Sequence, residues 1–190
     1  MQEIRFHGRG GQGTVVASIL LAKAFFQAGY YVQTFPVFGV ERRGAPVEAY
    51  LRLDKNKILA RTNVYQPDHI IVQDSQLLAH VDVTHGLKKG GWILLNAPGQ
   101  PERGHRFQDF QIAWIDATRI ALDNELGTRT QPLINTAMVG AFARVMDAPG
   151  LEAALKAAIE AEITVKTARN VKAAREAYAQ VQMGKPVESD

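Results

Sequence analysis

Near its start the chain passes from a strand-like run into a dense glycine turn and then into a helix, and few folds accommodate that junction. Ile4 to His7 alternates apolar and polar residues and stops at glycine, as a strand does. Gly8-Arg9-Gly10-Gly11-Gln12-Gly13 follows, and Thr14 to Ala28 has the composition of a helix closed by Gly29. Gly8, Gly10 and Gly13 fit the G-x-G-x-x-G spacing, which lets a phosphate or another backbone approach the positive end of a helix. The same spacing also serves a tight strand–helix turn that needs small residues only for packing. A phosphate-binding P-loop is excluded, because no Lys-Ser or Lys-Thr follows the glycines. A dinucleotide site lacks its ribose-binding carboxylate, since Tyr30 to Phe38 holds no Asp or Glu.

Downstream, apolar runs alternate with helical ones. Tyr31–Phe35, ended by Pro36, reads as a second strand, and Val47–Leu53 as a half-exposed one with Glu48, Tyr50 and Arg52 facing outward. Lys57–Arg61 is expected to pair back as a hairpin partner. His69–Gln73, Trp92–Leu95 and Gln111–Ile115 read as buried strands, with helices at Ser75–His80 and from Asp116 through Leu126. Asp74 and Asp116 end strands and are expected to cap the helices that follow. From Pro132 the pattern is helical only: Leu133–Met146 is rich in small residues, and Leu151, Leu155, Ile159 and Ile163 mark an amphipathic helix. Val171, Ala174, Tyr178 and Val181 mark another. The expected fold is α/β, a Rossmann-like three-layer sandwich with a mostly parallel sheet covered on both faces and a helical C-terminal segment. One domain is expected over 1–182, with 132–182 its helical part and 183–190 a loose tail.

The chain of 190 residues is 46% hydrophobic, enough for a sizeable core. It has no cysteine, so it supplies no disulfide and no thiolate ligand for an iron–sulfur cluster. The start MQEIRF lacks the features of a signal peptide, and Val15–Phe26 is too short and too polar to span a bilayer, so a cytoplasmic protein without a membrane partner is expected. A net charge of +3 gives no nucleic-acid footprint. The charge is uneven, however. Residues 1–63 hold nine Lys/Arg against four Asp/Glu, whereas 64–150 hold seven against nine. The positive third contains the glycine turn and a second loop, Phe38-Gly39-Val40-Glu41-Arg42-Arg43-Gly44-Ala45-Pro46, whose paired arginines suit a carboxylate or phosphate. A surface Glu41–arginine pair would explain the same residues. None of the five histidines has metal-like spacing; His7 lies beside the glycine turn, and a structural role is expected for it. Trp92, Trp114, Phe25 and Phe26 are expected in the core. No catalytic or metal-binding residue is assigned.

His7-Gly8-Arg9-Gly10-Gly11-Gln12-Gly13 together with Gly39-Val40-Glu41-Arg42-Arg43-Gly44-Ala45-Pro46 resembles the gamma subunit of 2-oxoacid:ferredoxin oxidoreductases, of which pyruvate:ferredoxin oxidoreductase (pyruvate synthase) is a member. The likeness continues through Pro67–Asp74, Gly90–Asn96, Asp116-Ala117-Thr118 and Asn135–Phe142, and covers about residues 3–180. It implies a Rossmann-like subunit of a complex that converts 2-oxoacid and coenzyme A to acyl-CoA, carbon dioxide and reduced acceptor. Thiamine diphosphate, Mg2+ and [4Fe-4S] clusters would be held by other subunits. The implied partners are alpha, beta and ferredoxin-like delta subunits and a ferredoxin or NAD-linked acceptor. Pyruvate is the default substrate, with branched-chain, aryl (phenylglyoxylate, indolepyruvate) and 2-oxoglutarate alternatives. On this reading Gly8, Arg9, Gly10, Gly11, Gln12, Gly13 and Thr14 line an anion-binding or inter-subunit pocket. Arg42 and Arg43 meet coenzyme A phosphates or acidic neighbours, Glu41 holds the arginines, and Asn135 and Thr136 add hydrogen bonds. The alternative is a stand-alone nucleotide-binding oxidoreductase using the Gly8–Gly13 turn.

Overall fold

A computed structural model describes residues 1–37, 44–102 and 105–184. Among these, seven strands form one sheet in the order β2-β3-β1-β4-β5-β6-β7. The strands are β1 (Gln2–Arg9), β2 (Tyr31–Val37), β3 (Pro46–Asp54), β4 (His69–Val72), β5 (Trp92–Asn96), β6 (Gln111–Ile115) and β7 (Gln182–Met183). The central β1-β4-β5-β6 run is parallel, β3 is antiparallel to both β1 and β2, and β7 is antiparallel to β6. Five of the seven described strands therefore point the same way, so the sheet is mostly parallel in direction. Pro36 falls inside β2 rather than ending it. It is tolerated because β2 is an edge strand of the described sheet, where a missing N–H breaks no inner ladder.

The helices are α1 (Thr14–Gln27), α2 (Ala117–Asp123), α3 (Asn135–Met146), α4 (Leu151–Glu162) and α5 (Thr167–Gln180). All five contribute to one apolar cluster against Ile4 and Phe6 of β1, Leu51 and Leu53 of β3, Ile71, Leu94 and Ile115. Alternation along each strand sends the other residues to the opposite face. There Ile70, Val72, Ile93, Leu95 and Ile112 pack under Val83, Leu87 and Phe107. The third layer is therefore built of short 3-10 turns and irregular segments, not of α-helices. The helix expected at Ser75–His80 is one such turn, Ser75–Ala79. Gly140 lets α3 and α5 cross closely, because a Cβ there would collide with the backbone of Ala174.

Four expectations change. Lys57–Arg61 pairs with no described strand. The first residues of the expected loose tail are not loose: Met183 continues from Gln182 as a strand on β6, opposite Ala113, and the Gly184 amide bonds to Ile112 O at 2.8 Å. Residues 185–190 lie outside the described residues. Phe25 is buried as expected, but its neighbour Phe26 is 66% exposed because it sits on the outer side of α1. Trp92 and Trp114 are only partly buried, each packed against an apolar cluster.

Candidate functional site

The parallel strands carry their carboxyl ends to one edge, and the glycine turn lies there between β1 and α1. In open α/β sheets ligands bind at this edge. The turn is tied down from within. The Gln12 amide donates to Arg9 O at 3.0 Å, and the Gln12 side chain accepts from the Arg9 amide at 2.8 Å. Gly10 and the start of β3 exchange bonds, Gly10 N to Ala45 O at 3.0 Å and Gly44 N to Gly10 O at 3.2 Å. Gly11 and Gly13 adopt φ values of 97° and 74°, which glycine reaches without strain.

Arg9 is the hub of this arrangement. Its Nε donates to Asp74 Oδ2 at 2.6 Å and its Nη1 to Gly44 O at 3.0 Å. Asp74 uses its other oxygen to accept the Gln76 amide at 2.9 Å, capping the 3-10 turn as expected. Arg9 thus clips the glycine turn, the β4–turn junction and the foot of the arginine loop together. Glu41, Arg42 and Arg43 lie outside the described residues, but the segment that delivers them back to β3, Gly44–Pro46, is fastened to the turn.

At the start of α1 no side chain caps the helix, and Gly13 occupies the N-cap position. Thr14 and Gln73 are buried there, and Thr14 Oγ1 and both polar atoms of the Gln73 amide have no hydrogen-bond partner among the described residues. A Cβ on Gly8 would collide with Thr14 Oγ1 and lie 2.7 Å from Gln73 Oε1, so glycine is what brings these groups over the strand end. A Cβ on Gly13 would lie 2.8 Å from Asn135 Nδ2, which places Asn135 beside the same turn. Thr136 is directed elsewhere: its hydroxyl donates to Asn170 Oδ1 at 3.1 Å inside the α3–α5 contact. Sequence reasoning missed Gln73 and Asn96. The signal for Gln73 was a lone amide closing the apolar run His69–Val72. Asn96 caps α2 by accepting the Ala117 amide at 3.1 Å and donates to Gln73 O at 3.0 Å.

Beside the turn a cleft of about 550 Å3 is lined by Gln12, Gln73, Asp74, Asn96, Asp116 and Arg119, among others. Asp116 caps α2 by accepting the Arg119 amide at 2.8 Å. The cleft wall holds more carboxylates than cations, so it is the helix start, not the cleft, that offers positive potential. His7, on the other face of β1, is buried, and burial lowers its pKa to about 4 despite Glu48 Oε1 at 3.4 Å, so it is neutral at pH 7. Burial also lowers His69, whose Nδ1 accepts the Trp92 amide at 3.2 Å. Among the described residues no cluster of three or more His, Asp or Glu side chains could hold a metal.

The strand order bears on the dinucleotide alternative. A dinucleotide fold sets its second strand beside the first, with a carboxylate at its end. Here antiparallel β3 intervenes, and the place next to Gly8 and Arg9 is filled by Val47 and Pro46. The topology gives that alternative no support.

Comparison with known proteins identifies the family. Residues 3–180 match the family described as pyruvate ferredoxin/flavodoxin oxidoreductase. Pyruvate synthase subunit PorC of Methanocaldococcus jannaschii is 48% identical over 178 residues, covering 94% of this chain and 96% of its own. The pyruvate/ketoisovalerate oxidoreductases common subunit gamma of Pyrococcus abyssi is 44% identical over 189 residues, covering 96% and 98%. Among solved structures, pyruvate oxidoreductase subunit PORC of Thermotoga maritima superposes with a TM-score of 0.78 at 34% identity, covering 97% of this chain and 98% of its own. With a family match over nearly its whole length, the chain belongs to the pyruvate ferredoxin/flavodoxin oxidoreductase family as a gamma-type subunit.

Proposed function

We propose that the chain is the gamma subunit of a thiamine-dependent 2-oxoacid:acceptor oxidoreductase, with pyruvate as substrate, and that it helps bind coenzyme A and assemble the complex. The observation that carries the coenzyme A reading is the uncapped start of α1 with the buried, unpartnered Thr14 and Gln73 groups at its mouth. Buried polar groups without partners are rare, and an anionic ligand or its bound water would satisfy them. The name common subunit gamma, borne by the Pyrococcus relative, supports a role in which the choice of 2-oxoacid is made in other subunits.

In this reading the chain's residues bind and orient, and bond-making takes place elsewhere in the complex. The α1 amides and the Thr14 hydroxyl hold a phosphate of coenzyme A. Arg42 and Arg43 add charge from the neighbouring loop, and the Arg9–Asp74 pair keeps that loop's foot against the turn. Thiamine diphosphate with Mg2+ supplies carbanion chemistry at 2-oxoacids when bound; iron–sulfur clusters carry the electrons released. A chain without cysteine has no thiolate for such a cluster, so on this reading the clusters are held by partner subunits, and the resemblance assigns thiamine diphosphate to partner subunits as well. The soluble partners expected are alpha, beta and ferredoxin-like delta subunits in the cytoplasm.

The test is steady-state kinetics of the assembled complex carrying Thr14→Val, or Arg42→Ala with Arg43→Ala. The KM for coenzyme A should rise at least about tenfold while the KM for the 2-oxoacid stays put, as expected when one charge-assisted contact of about 1.5–3 kcal/mol is lost. Unchanged coenzyme A kinetics in both variants would overturn the assignment.

A further inference from the structure

The segment between β3 and β4 has the sequence of a strand but no sheet to belong to. Lys57, Leu59, Arg61, Asn63 and Tyr65 are all exposed, and of the residues between them Ile58, Ala60 and Val64 are partly or fully buried while Thr62 is exposed. Apart from Thr62, that is the period of two of an extended strand with one face outward. Yet residues 57–66 form no backbone–backbone hydrogen bond within the described residues. The segment is nevertheless held in place. Arg52, 1% exposed, pairs with Glu3 at 2.7 Å and donates to Thr62 O at 2.7 Å and Asn63 O at 3.2 Å. A groove of about 370 Å3 runs between this segment and β2, lined by Phe35, Arg52, Arg61 and Asn63, among others.

The outward face has a definite chemistry. Leu59 is 78% and Tyr65 70% exposed, among the most exposed large hydrophobic side chains described. Lys57 and Arg61 form no ion pair among the described residues, and the nearby Asp54 is already paired with the N-terminus at 2.6 Å. Most other described surface cations, such as Lys88 with Asp68 and Arg119 with Asp123, do have partners. Backbone groups outside any ladder (Thr62 O and Asn63 O, held by Arg52, aside), two bare apolar anchors and two cations without an ion-pair partner among the described residues make up what an added β-strand needs: main-chain bonds for affinity and alternate side chains for specificity.

We propose that residues 57–65 are a docking strand that pairs with an extended, acidic segment of another subunit of the oxidoreductase. The occupant is acidic because Lys57 and Arg61 have no ion-pair partner among the described residues, and extended because the segment's backbone, which bends at Thr62 and Tyr65, has no ladder of its own among them. Arg52 presets the strand's conformation, which lowers the ordering cost of docking. This proposal rests on reading the chain as one subunit of a larger complex.

Backbone hydrogen exchange of the full chain alone and in the purified complex tests it. Amides at 57–65 should exchange rapidly in the isolated chain and at least about tenfold more slowly in the complex. Lys57→Glu with Arg61→Glu should leave the melting temperature of the chain unchanged, weaken its association with the other subunits at least about tenfold, and remove most of the salt dependence of assembly. Equal exchange in both states overturns the proposal. So does protection already present in the isolated chain, which would mean a second copy or this chain's own tail, or protection conferred by coenzyme A alone. Turnover of 2-oxoacids by the same complex separates the two readings. An active complex with an unprotected strand sinks the docking proposal only; an inactive complex with a protected strand sinks the functional reading only.

Discussion

The two faces of the β1–β3 pair are both buried, but by opposite means. Toward the helices, Ile4, Phe6, Ala49, Leu51 and Leu53 form an all-apolar surface. On the other side Arg5, His7, Tyr50 and Arg52 are just as inaccessible, with Glu3 and Glu48 beside them. The first face is stabilised by apolar area removed from water, in proportion to that area. The second depends on partners for its charged groups, because an unpaired buried charge costs several kcal/mol; of its buried side-chain polar atoms only Arg5 Nε and His7 Nε2 have no hydrogen-bond partner among the described residues. The helix face can therefore lose a side chain gradually, whereas the polar face fails when one partner of a pair is removed.

Truncation on each face gives the largest expected effects. Phe6→Ala should cost about 3–5 kcal/mol in denaturant unfolding, from lost burial and a cavity. Arg52→Ala should cost about the same, but by leaving the half-buried Glu3 carboxylate without its ion pair and the Thr62 and Asn63 carbonyls without their donor. The second substitution separates the faces. Arg52→Met with Glu3→Leu should recover much of the loss, because replacing a buried ion pair by apolar groups is often near neutral. No change made opposite Phe6→Ala should recover as much. If the double replacement is as damaging as Arg52→Ala, the faces do not differ in the way described.

This contrast also marks what the sequence could and could not reveal. Alternation in Val47–Leu53 correctly assigned Glu48, Tyr50 and Arg52 to one side and the leucines to the other. It misjudged that side as solvent-facing, because a strand's period reports which face a residue is on and not what covers that face. The cover comes from distant backbone: Thr62 and Asn63 over Arg52, and Val83 and His85 over Arg5. The same limit explains Lys57–Arg61, which alternates as a strand does but pairs with no described strand. At the site, glycine spacing and helix start were legible, as was the proximity of Asn135's segment. Arg9's engagement by Asp74 was not, because the two lie 65 residues apart and only the β1–β4 pairing joins them.

Proton linkage should give the next largest effect, and it belongs to the polar face alone. His7 titrates near 4 in the folded chain, against an ordinary value of 6.5. Between those values the unfolded chain binds the proton first, so stability is complete above about pH 6.5 and falls as pH drops toward 4. The loss is roughly 3 kcal/mol for a shift of this size. His69, lowered by burial, adds in the same direction. His7→Gln should therefore flatten the pH dependence of unfolding free energy by about one proton's worth between pH 4 and 6.5, leaving the His69 share. A slope unchanged by the substitution would show that His7 is accessible to protons.

The smallest effects come from the carboxylate that serves this histidine. Tyr50 donates its hydroxyl to Glu48 Oε2 at 2.6 Å, and Glu48 raises His7 against the larger lowering by burial. Tyr50→Phe removes one hydrogen bond to a partly exposed carboxylate and should cost about 1 kcal/mol at pH 7. It leaves the charge of Glu48 in place, so the His7 window should hardly move. Glu48→Gln removes that charge. At pH 7, where His7 is neutral, it should also cost only about 1 kcal/mol, but it withdraws what holds the folded pKa up. His7 should then titrate lower still, and the loss of stability on acidification should extend to lower pH than in the unsubstituted chain. NMR titration of the His7 ring in both variants checks this. An upward shift in Glu48→Gln would mean that the carboxylate acts on His7 through burial and not through charge, and the polar face would then behave as an extension of the apolar one.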